Sequence, residues 1–282
     1  MKLSKNVLYF GQEQPLPEQL ALRAGLLSLV YEAGDLRYIR LGNQEILRRV
    51  YVAVRDHNWG TVTPILSNVQ MDIAADSFRI SYDVTNRQGD IDFFWRGLIT
   101  GDSQGTITFT MDGQARSTFR RNRIGFCVLH PVDCAGRLCR IEHVDGTVDE
   151  TPFPQFIAPQ LVINGTVKPV HPFEEMRAMT YPVLPGLSAE IRFEGDIFEM
   201  EDQRNWTDAS YKTYCTPLRL PFPVEVQAGT EIHQTVTLSL KGQIPVVAET
   251  TATGLTFSVG VAPPPPPPPR GRGVSTPRPP RS

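Results

Sequence analysis

Leu26-Leu-Ser-Leu-Val-Tyr-Glu-Ala-Gly-Asp-Leu-Arg-Tyr-Ile-Arg-Leu-Gly-Asn43 decides the fold class. Leu27, Leu29 and Tyr31 alternate, Ala33-Gly34-Asp35 turns the chain, Leu36, Tyr38 and Arg40 continue the alternation, and Gly42-Asn43 turns it again. An alternation of period two puts successive side chains on opposite faces of a strand, and turn residues at such short spacing join neighbouring strands into a meander. Ile46 to Val54, rich in β-branched and aromatic residues, supplies a third strand.

The same grammar repeats outward. Strands are expected at Ser77–Val84, Asp92–Ile99 and Gly105–Met111, divided by Arg87-Gln-Gly-Asp90 and Gly101-Asp-Ser-Gln-Gly105. Ile124–His130 and Leu138–Val144 read as a hairpin, and Ala189–Met200 and Glu231–Leu240 as long strands. No convincing amphipathic helix occurs, Pro17 to Ala24 being the best short candidate. The fold class is therefore all-β, an antiparallel β-sandwich or supersandwich. Three regions are expected: an N-terminal arm over 1–22, the sandwich over 23–262, whose residues 245–261 still have strand composition, and a tail over 263–282. The tail opens with seven consecutive prolines, Pro263 to Pro269, a polyproline II sequence, and ends in a disordered basic tip.

The 282 residues carry a formal charge of −2. The tail has Arg270, Arg272, Arg278 and Arg281 and no acid, which leaves −6 on the rest. An acidic body argues against nucleic acid as a partner. No apolar run is long enough to span a membrane, and the broken apolar run at the N-terminus is too short for a signal peptide, so a cytoplasmic protein is expected. Cys127, Cys134, Cys139 and Cys215 would then be reduced thiols. His130, Cys134, Cys139 and His143 are spaced H-x3-C-x4-C-x3-H, which invites a zinc reading. The cysteine spacing is wider than a zinc knuckle, and the segment reads equally as a hairpin with buried thiols, so neither a metal nor a cofactor is expected.

Five segments carry a resemblance: Arg55-Asp-His-Asn-Trp59, Arg121-Asn-Arg-Ile-Gly-Phe-Cys-Val-Leu-His-Pro131, Cys134-Ala-Gly-Arg137, His143-Val-Asp-Gly146 and, above all, Phe193-Glu-Gly-Asp-Ile-Phe-Glu-Met-Glu-Asp-Gln-Arg-Asn-Trp-Thr-Asp-Ala-Ser-Tyr-Lys-Thr-Tyr214. Together, over residues 24 to 242, they resemble the N-terminal domain of the D-apionate lactonases, enzymes that open the lactone of a branched-chain sugar acid. More loosely, the opening meander and Gly125-Phe-Cys-Val-Leu-His-Pro131 resemble the aldose epimerases of the galactose-mutarotase class, which have a β-supersandwich fold. The lactonases are much longer and carry a barrel domain after the sandwich. The resemblance thus implies a sugar or sugar lactone as ligand and leaves room for a separate barrel-domain protein as partner.

The chemistry-bearing residues cluster. Ile191, Phe193 and Ile197 share one strand face by parity, and Glu199 and Glu201 continue it toward a rim. Asp202, Arg204, Asn205, Trp206 and Asp208 follow, the mixture of charges, amide and indole that sugar sites use. Arg55, His57 and Trp59 form a second polar–aromatic group that could line the same cleft. Lactone opening needs a base to activate water and a donor for the developing oxyanion. Glu199 or His130 could be the base, His130 because it ends a strand where a cleft would lie. Arg123 or Arg204 could be the donor. Three readings follow: a lactone hydrolase or a piece of one, a carbohydrate-recognition module without its barrel, and a mutarotase-like epimerase. An open cleft with a facing histidine–carboxylate pair would favour the last, a cleft with aromatics and no close titratable pair the second.

Overall fold

Gln19–Ala24 (β1) and Leu27–Glu32 (β2) pair antiparallel around Gly25, whose φ of +53° suits glycine. A Cβ there would lie 2.5 Å from the Ser103 carbonyl oxygen. Leu22 and Ala24 are buried in the core, so tertiary burial makes a strand of the segment that composition offered as a short helix. The sandwich therefore begins at Gln19, inside the expected arm. Ahead of it lies a helix, Lys5–Phe10 (α1), capped by Ser4, whose hydroxyl accepts from the Val7 N–H at 3.2 Å, and closed by left-handed Gly11. This helix buries no residue.

The computed structural model describes residues 3–158, 161–163, 166–168, 171–206 and 209–243. The strand composition of 245–261 and the proline-rich tail lie outside the described residues, as does Asp208. The remaining strands are β3 (Asp35–Leu41), β4 (Gln44–Asp56), β5 (Pro64–Ile73), β6 (Phe78–Gln88), β7 (Ile91–Gly101), β8 (Ile107–Ala115), β9 (Phe119–His130), β10 (Leu138–His143), β11 (Val148–Pro152), β12 (Leu161–Ile163), β13 (Thr166–Lys168), β14 (Met176–Leu184), β15 (Leu187–Glu194), β16 (Phe198–Gln203), β17 (Ser210–Cys215), β18 (Val224–Val226) and β19 (Glu231–Gly242). The architecture is nearly all-β and antiparallel, as the alternation required.

Two runs of strands face each other. One follows β5-β6-β7-β8-β19-β15-β14-β10-β11. The other follows β1-β2-β3-β4-β9-β17-β16, with β18 beside the start of β9. They are joined through one pair, Met176 with Phe198, between β14 and β16. Between them, Phe109 of β8 meets Phe126 of β9 edge to face at 4.9 Å, and Phe193 of β15 stacks on Phe198 of β16 at 4.6 Å. Burial of such rings supplies most of the favourable energy of a sandwich core.

Two departures from simple alternation matter. In β3 the buried residues are Leu36, Ile39 and Leu41, not Leu36, Tyr38 and Arg40. Tyr38 has φ +51° and the register shifts between Ile39 and Arg40, a bulge that reverses the phase. The long strand expected over Ala189–Met200 is broken at Gly195 (φ +89°), where a Cβ would collide with the backbone of His233 and Gln234. Before the break the odd positions Ala189, Ile191 and Phe193 are buried in the core, and after it the even positions Phe198 and Met200. Glu199 thus lies on the opposite face of its strand from the one that continuous parity assigns.

Candidate functional site

Four neighbouring strands, β4, β9, β17 and β16, form the floor of a cleft on the face turned away from the core. Their registers place Ala53 opposite Gly125 and Arg55 opposite Arg123, and run a row from Tyr51 through Cys127 and Tyr214 to Glu199. Alternation then fixes the sides. On β9, Ile124, Phe126 and Val128 enter the core, so Arg123, Gly125 and Cys127 face the cleft. On β16 and β17, Glu201, Gln203, Lys212 and Tyr214 face it. Trp59, from the turn after β4, Trp206, from the turn after β16, and Leu218 complete the wall of a cavity of about 380 Å³.

Glu199 is 2% exposed and anchors this wall from behind. The Tyr214 hydroxyl donates to its Oε1 at 2.7 Å and the Leu218 N–H to the same oxygen at 2.6 Å. His171 Nε2 lies 3.4 Å from that oxygen and 3.2 Å from the Tyr214 hydroxyl. Burial and the adjacent Glu199 charge push the Tyr214 phenol far up, so it stays neutral and keeps donating to the carboxylate. A tyrosine, a backbone amide and a histidine surround Glu199, and among the described residues no arginine pairs with it.

Arg123 is 4% exposed, with its guanidinium carbon 5.4 Å from the centre of the Trp59 ring and 4.9 Å from that of Phe222. Its Nη1 donates to the Asn122 carbonyl at 2.6 Å and its Nη2 to the Pro217 carbonyl at 2.9 Å. Trp59 and Phe222 meet edge to face at 5.1 Å. Arg55 bonds the Trp59 carbonyl and the Thr61 hydroxyl. Asp56 accepts from the backbone of Asn58 and Gly60, so the Arg55–Gly60 turn is braced from within. His57 is exposed, bonds only its neighbour Asn58 among the described residues and does not line the cavity.

Asp202 and Arg204 leave the site. Even-numbered like Phe198 and Met200, Asp202 points to the other side, where Arg204 Nε and Nη2 clasp it at 2.9 and 2.8 Å. The guanidinium covers the Tyr211 ring at 4.5 Å and donates to the Gln155 carbonyl at 3.0 Å. This pair ties the β16–β17 turn to the 150s segment and does not meet the cleft. Asn205 is exposed on the same turn.

His130 is corrected most sharply. It is 0% exposed, because it follows Ile124, Phe126 and Val128 on the core side of β9. Thr213 bonds its Nε2 at 3.0 Å, and the Tyr181 hydroxyl lies 3.4 Å from Nδ1 and donates to the Ile46 carbonyl at 3.0 Å. Burial lowers its pKa from 6.5 to about 3, so it is a neutral core residue and no general base. The unfolded chain binds this proton near pH 6.5 and the folded one does not. Stability is therefore undiminished above that pH and falls as the pH drops, by about 2 kcal/mol between pH 7 and pH 5. His130→Gln is expected to flatten that limb of a stability–pH curve measured by urea melts; an unchanged slope would show that His130 is hydrated and charged.

Cys134 and Cys139 are buried, with burial raising the Cys134 thiol to about 12. His143 lies apart from His130, bonded to Asp149 and the Glu174 carbonyl. Among the described residues no three metal-ligating side chains gather. No helix among them is long and apolar enough to cross a membrane.

Gln203, Lys212, Tyr214 and Cys127 were not foreseen as site residues. Hairpin parity would have found three of them: once Glu201 faces the cleft, so must Gln203, and the facing strand must offer Lys212 and Tyr214.

Comparison with known proteins places the chain in a family. The family model for the N-terminal domain of D-apionate lactonase matches residues 7–243. A D-apionate lactonase of Brucella anthropi is 41% identical over 241 residues, which is 83% of this chain and 37% of that protein. The chain thus spans little more than a third of its relative's length. Two solved structures share the fold alone. A candidate aldose 1-epimerase of Escherichia coli K12 has TM-score 0.50 at 9% identity, covering 80% of this chain and 99% of its own. The Slr1438 protein of Synechocystis sp. PCC 6803 has TM-score 0.51 at 10% identity, covering 82% and 99%. Every strand of the cleft floor falls inside the matched segment, and the chain belongs to the family of the D-apionate lactonase N-terminal domain.

Proposed function

We propose that this domain holds a sugar lactone or its sugar acid in the cleft, as the recognition part of a lactone-opening enzyme of the D-apionate lactonase type. The observation that carries the reading is the pairing of two exposed indoles, Trp59 at 42% and Trp206 at 62%, above a polar floor of Arg123, Glu201, Gln203, Lys212 and Tyr214. Indole faces take the C–H surface of a sugar while amide, carboxylate and cationic groups take its hydroxyls and carbonyl. Arg123 and Lys212 lie where positive charge would stabilise oxygen that becomes negative on ring opening. Glu199, sequestered behind Tyr214, serves as a positioning residue.

The recognition reading is favoured over the epimerase one by a single point. A histidine–carboxylate pair exists, His171 with Glu199, but their side chains are 10% and 3% exposed, so the pair does not stand open across a ligand ring. The water-activating base would come from a barrel domain, on a longer chain or on a separate protein. The same reading keeps the protein in the cytoplasm, where four buried, unbridged thiols remain reduced.

The test is calorimetric titration with D-apionolactone and D-apionate, with lactone hydrolysis followed in parallel with and without a barrel-domain protein. Binding by this chain alone and turnover only with the barrel is the expected result. Turnover by the chain alone would return catalysis to the cleft, and no binding would remove the function. Trp206→Ala is expected to weaken binding about tenfold while moving the melting temperature by less than about two degrees, because an exposed ring contributes little to the fold. A large drop in melting temperature with unchanged affinity would make Trp206 structural.

A further inference from the structure

Arg123 is a buried cation without a counter-ion. Among the described residues no carboxylate comes within ion-pair distance of it, and the two carbonyls it bonds carry no charge to balance its own. Its Nε–H, on a side chain that lines the cavity, has no hydrogen-bond partner among the described residues. Burial without a charge partner disfavours the cation, and it draws the Arg123 pKa downward, although a guanidinium stays protonated. The aromatic rings of Trp59 and Phe222 offset part of that cost, as ring faces do for cations.

The neighbouring charges point the same way. Arg55 and Lys212 line the same cavity, and neither has an ion pair among the described residues. Glu201 is the single carboxylate in the lining. Glu199 stands behind Tyr214, its Oε1 already holding two donors. Three cations against one acid, around a space of about 380 Å³ with two indoles, make a setting that an anion completes and a neutral molecule does not.

We propose that the cleft is a carboxylate site, which takes the open-chain sugar acid in preference to the uncharged lactone or sugar, the carboxylate lying between Arg123 and Lys212. The inference rests on the sugar-binding reading and sharpens it. The domain would then be a reader of the product form, or of any small sugar acid of that size, and the product would compete with the lactone for the same cavity. A single negative charge fits better than a phosphate dianion, since Glu201 shares the wall.

The experiment is calorimetric titration of the full chain with D-apionate, its uncharged amide and D-apiose. Hydrogen bonds to a charged group outweigh neutral ones enough that the acid should bind at least about tenfold tighter than the amide. The gap should narrow at about 1 M salt, where the screening length shrinks to about 3 Å. Lys212→Gln, a half-buried position with no ion pair to break among the described residues, is expected to cut the acid's affinity several-fold more than the amide's. Arg123→Lys, checked first for an unaltered melting curve, should do the same more strongly, because a lysine cannot reproduce the planar fork of donors. Equal affinity for acid and amide, or equal weakening of both by Lys212→Gln, would overturn the carboxylate preference and leave the sugar-binding reading standing. Binding of none of the three would overturn both.

Discussion

Glu199→Ala is expected to lower the free energy of unfolding by about 2–4 kcal/mol, since it strands one buried donor at roughly 1–3 kcal/mol and a half-buried one at about 1 kcal/mol. Those donors are the Tyr214 hydroxyl and the Leu218 N–H, both aimed at Oε1. Glu199→Gln is the discriminating partner. An amide oxygen in the place of Oε1 accepts from both donors without charge, so the cost should stay below about 1 kcal/mol. If Glu199 anchors the wall as described, the alanine variant loses ligand affinity together with stability, through a Tyr214 no longer held, and the glutamine variant keeps both. Urea melts and ligand titrations on the two variants decide it. An alanine variant as stable as the parent would show that Tyr214 and Leu218 find other partners and that Glu199 is no anchor.

The larger stability loss, about 3–5 kcal/mol, is expected from Phe153→Ala, with the ligand affinity measured well below the melting temperature unchanged. Phe153 is fully buried, with ring centres of Phe173 at 5.1 Å, Tyr211 at 5.1 Å, Tyr181 at 5.4 Å and His130 at 6.0 Å. Removing it empties the centre of an aromatic cluster whose members come from four separate segments and cannot collapse together into the gap. It sits on the core side of β17, opposite the cleft, which is why stability and binding should separate here and move together at Glu199. A loss under about 1 kcal/mol would mean that the cluster relaxes freely.

Much of this was legible in the chain itself. Alternation between Gly-marked turns gives most strands, because a half-buried sheet forces period two on its sequence. Other strands escaped. β5 has apolar residues at Ile65, Val69, Met71 and Ile73, yet all four are exposed, so its pattern marks no core face. β1 offered a helical composition that pairing with β2 overrode. At the cleft, the structure brings the chosen segments together but turns several of the chosen residues away from it. His130 was placed by its position at a strand end, whereas counting back through Val128, Phe126 and Ile124 sends it to the core. Glu199 was placed by parity across Gly195, and the break there reverses the phase. Asp202 and Arg204 have the composition of a sugar site, but alternate residues of β16 face opposite ways, and composition does not see faces. Arg123 was readable from its place on the odd side of β9, just ahead of the apolar run that begins at Ile124.

The cleft floor has no local origin. Ala53, Arg123, Glu201 and Tyr214 come together only because β4, β9, β17 and β16 lie side by side, and two of the three junctions join strands far apart in the chain. A cavity built from distant segments exists only when those long loops have closed, which is the slow and cooperative part of assembling a β-protein. An occupant resting on that floor would therefore do more than grip the turns of Trp59 and Trp206; it would hold the sheet shut. Insertions and sequence drift in surface turns other than those of Trp59 and Trp206 can go far without touching the cleft, while a one-residue slip in any of the four strands would turn that strand's cleft-facing groups to the other side at once.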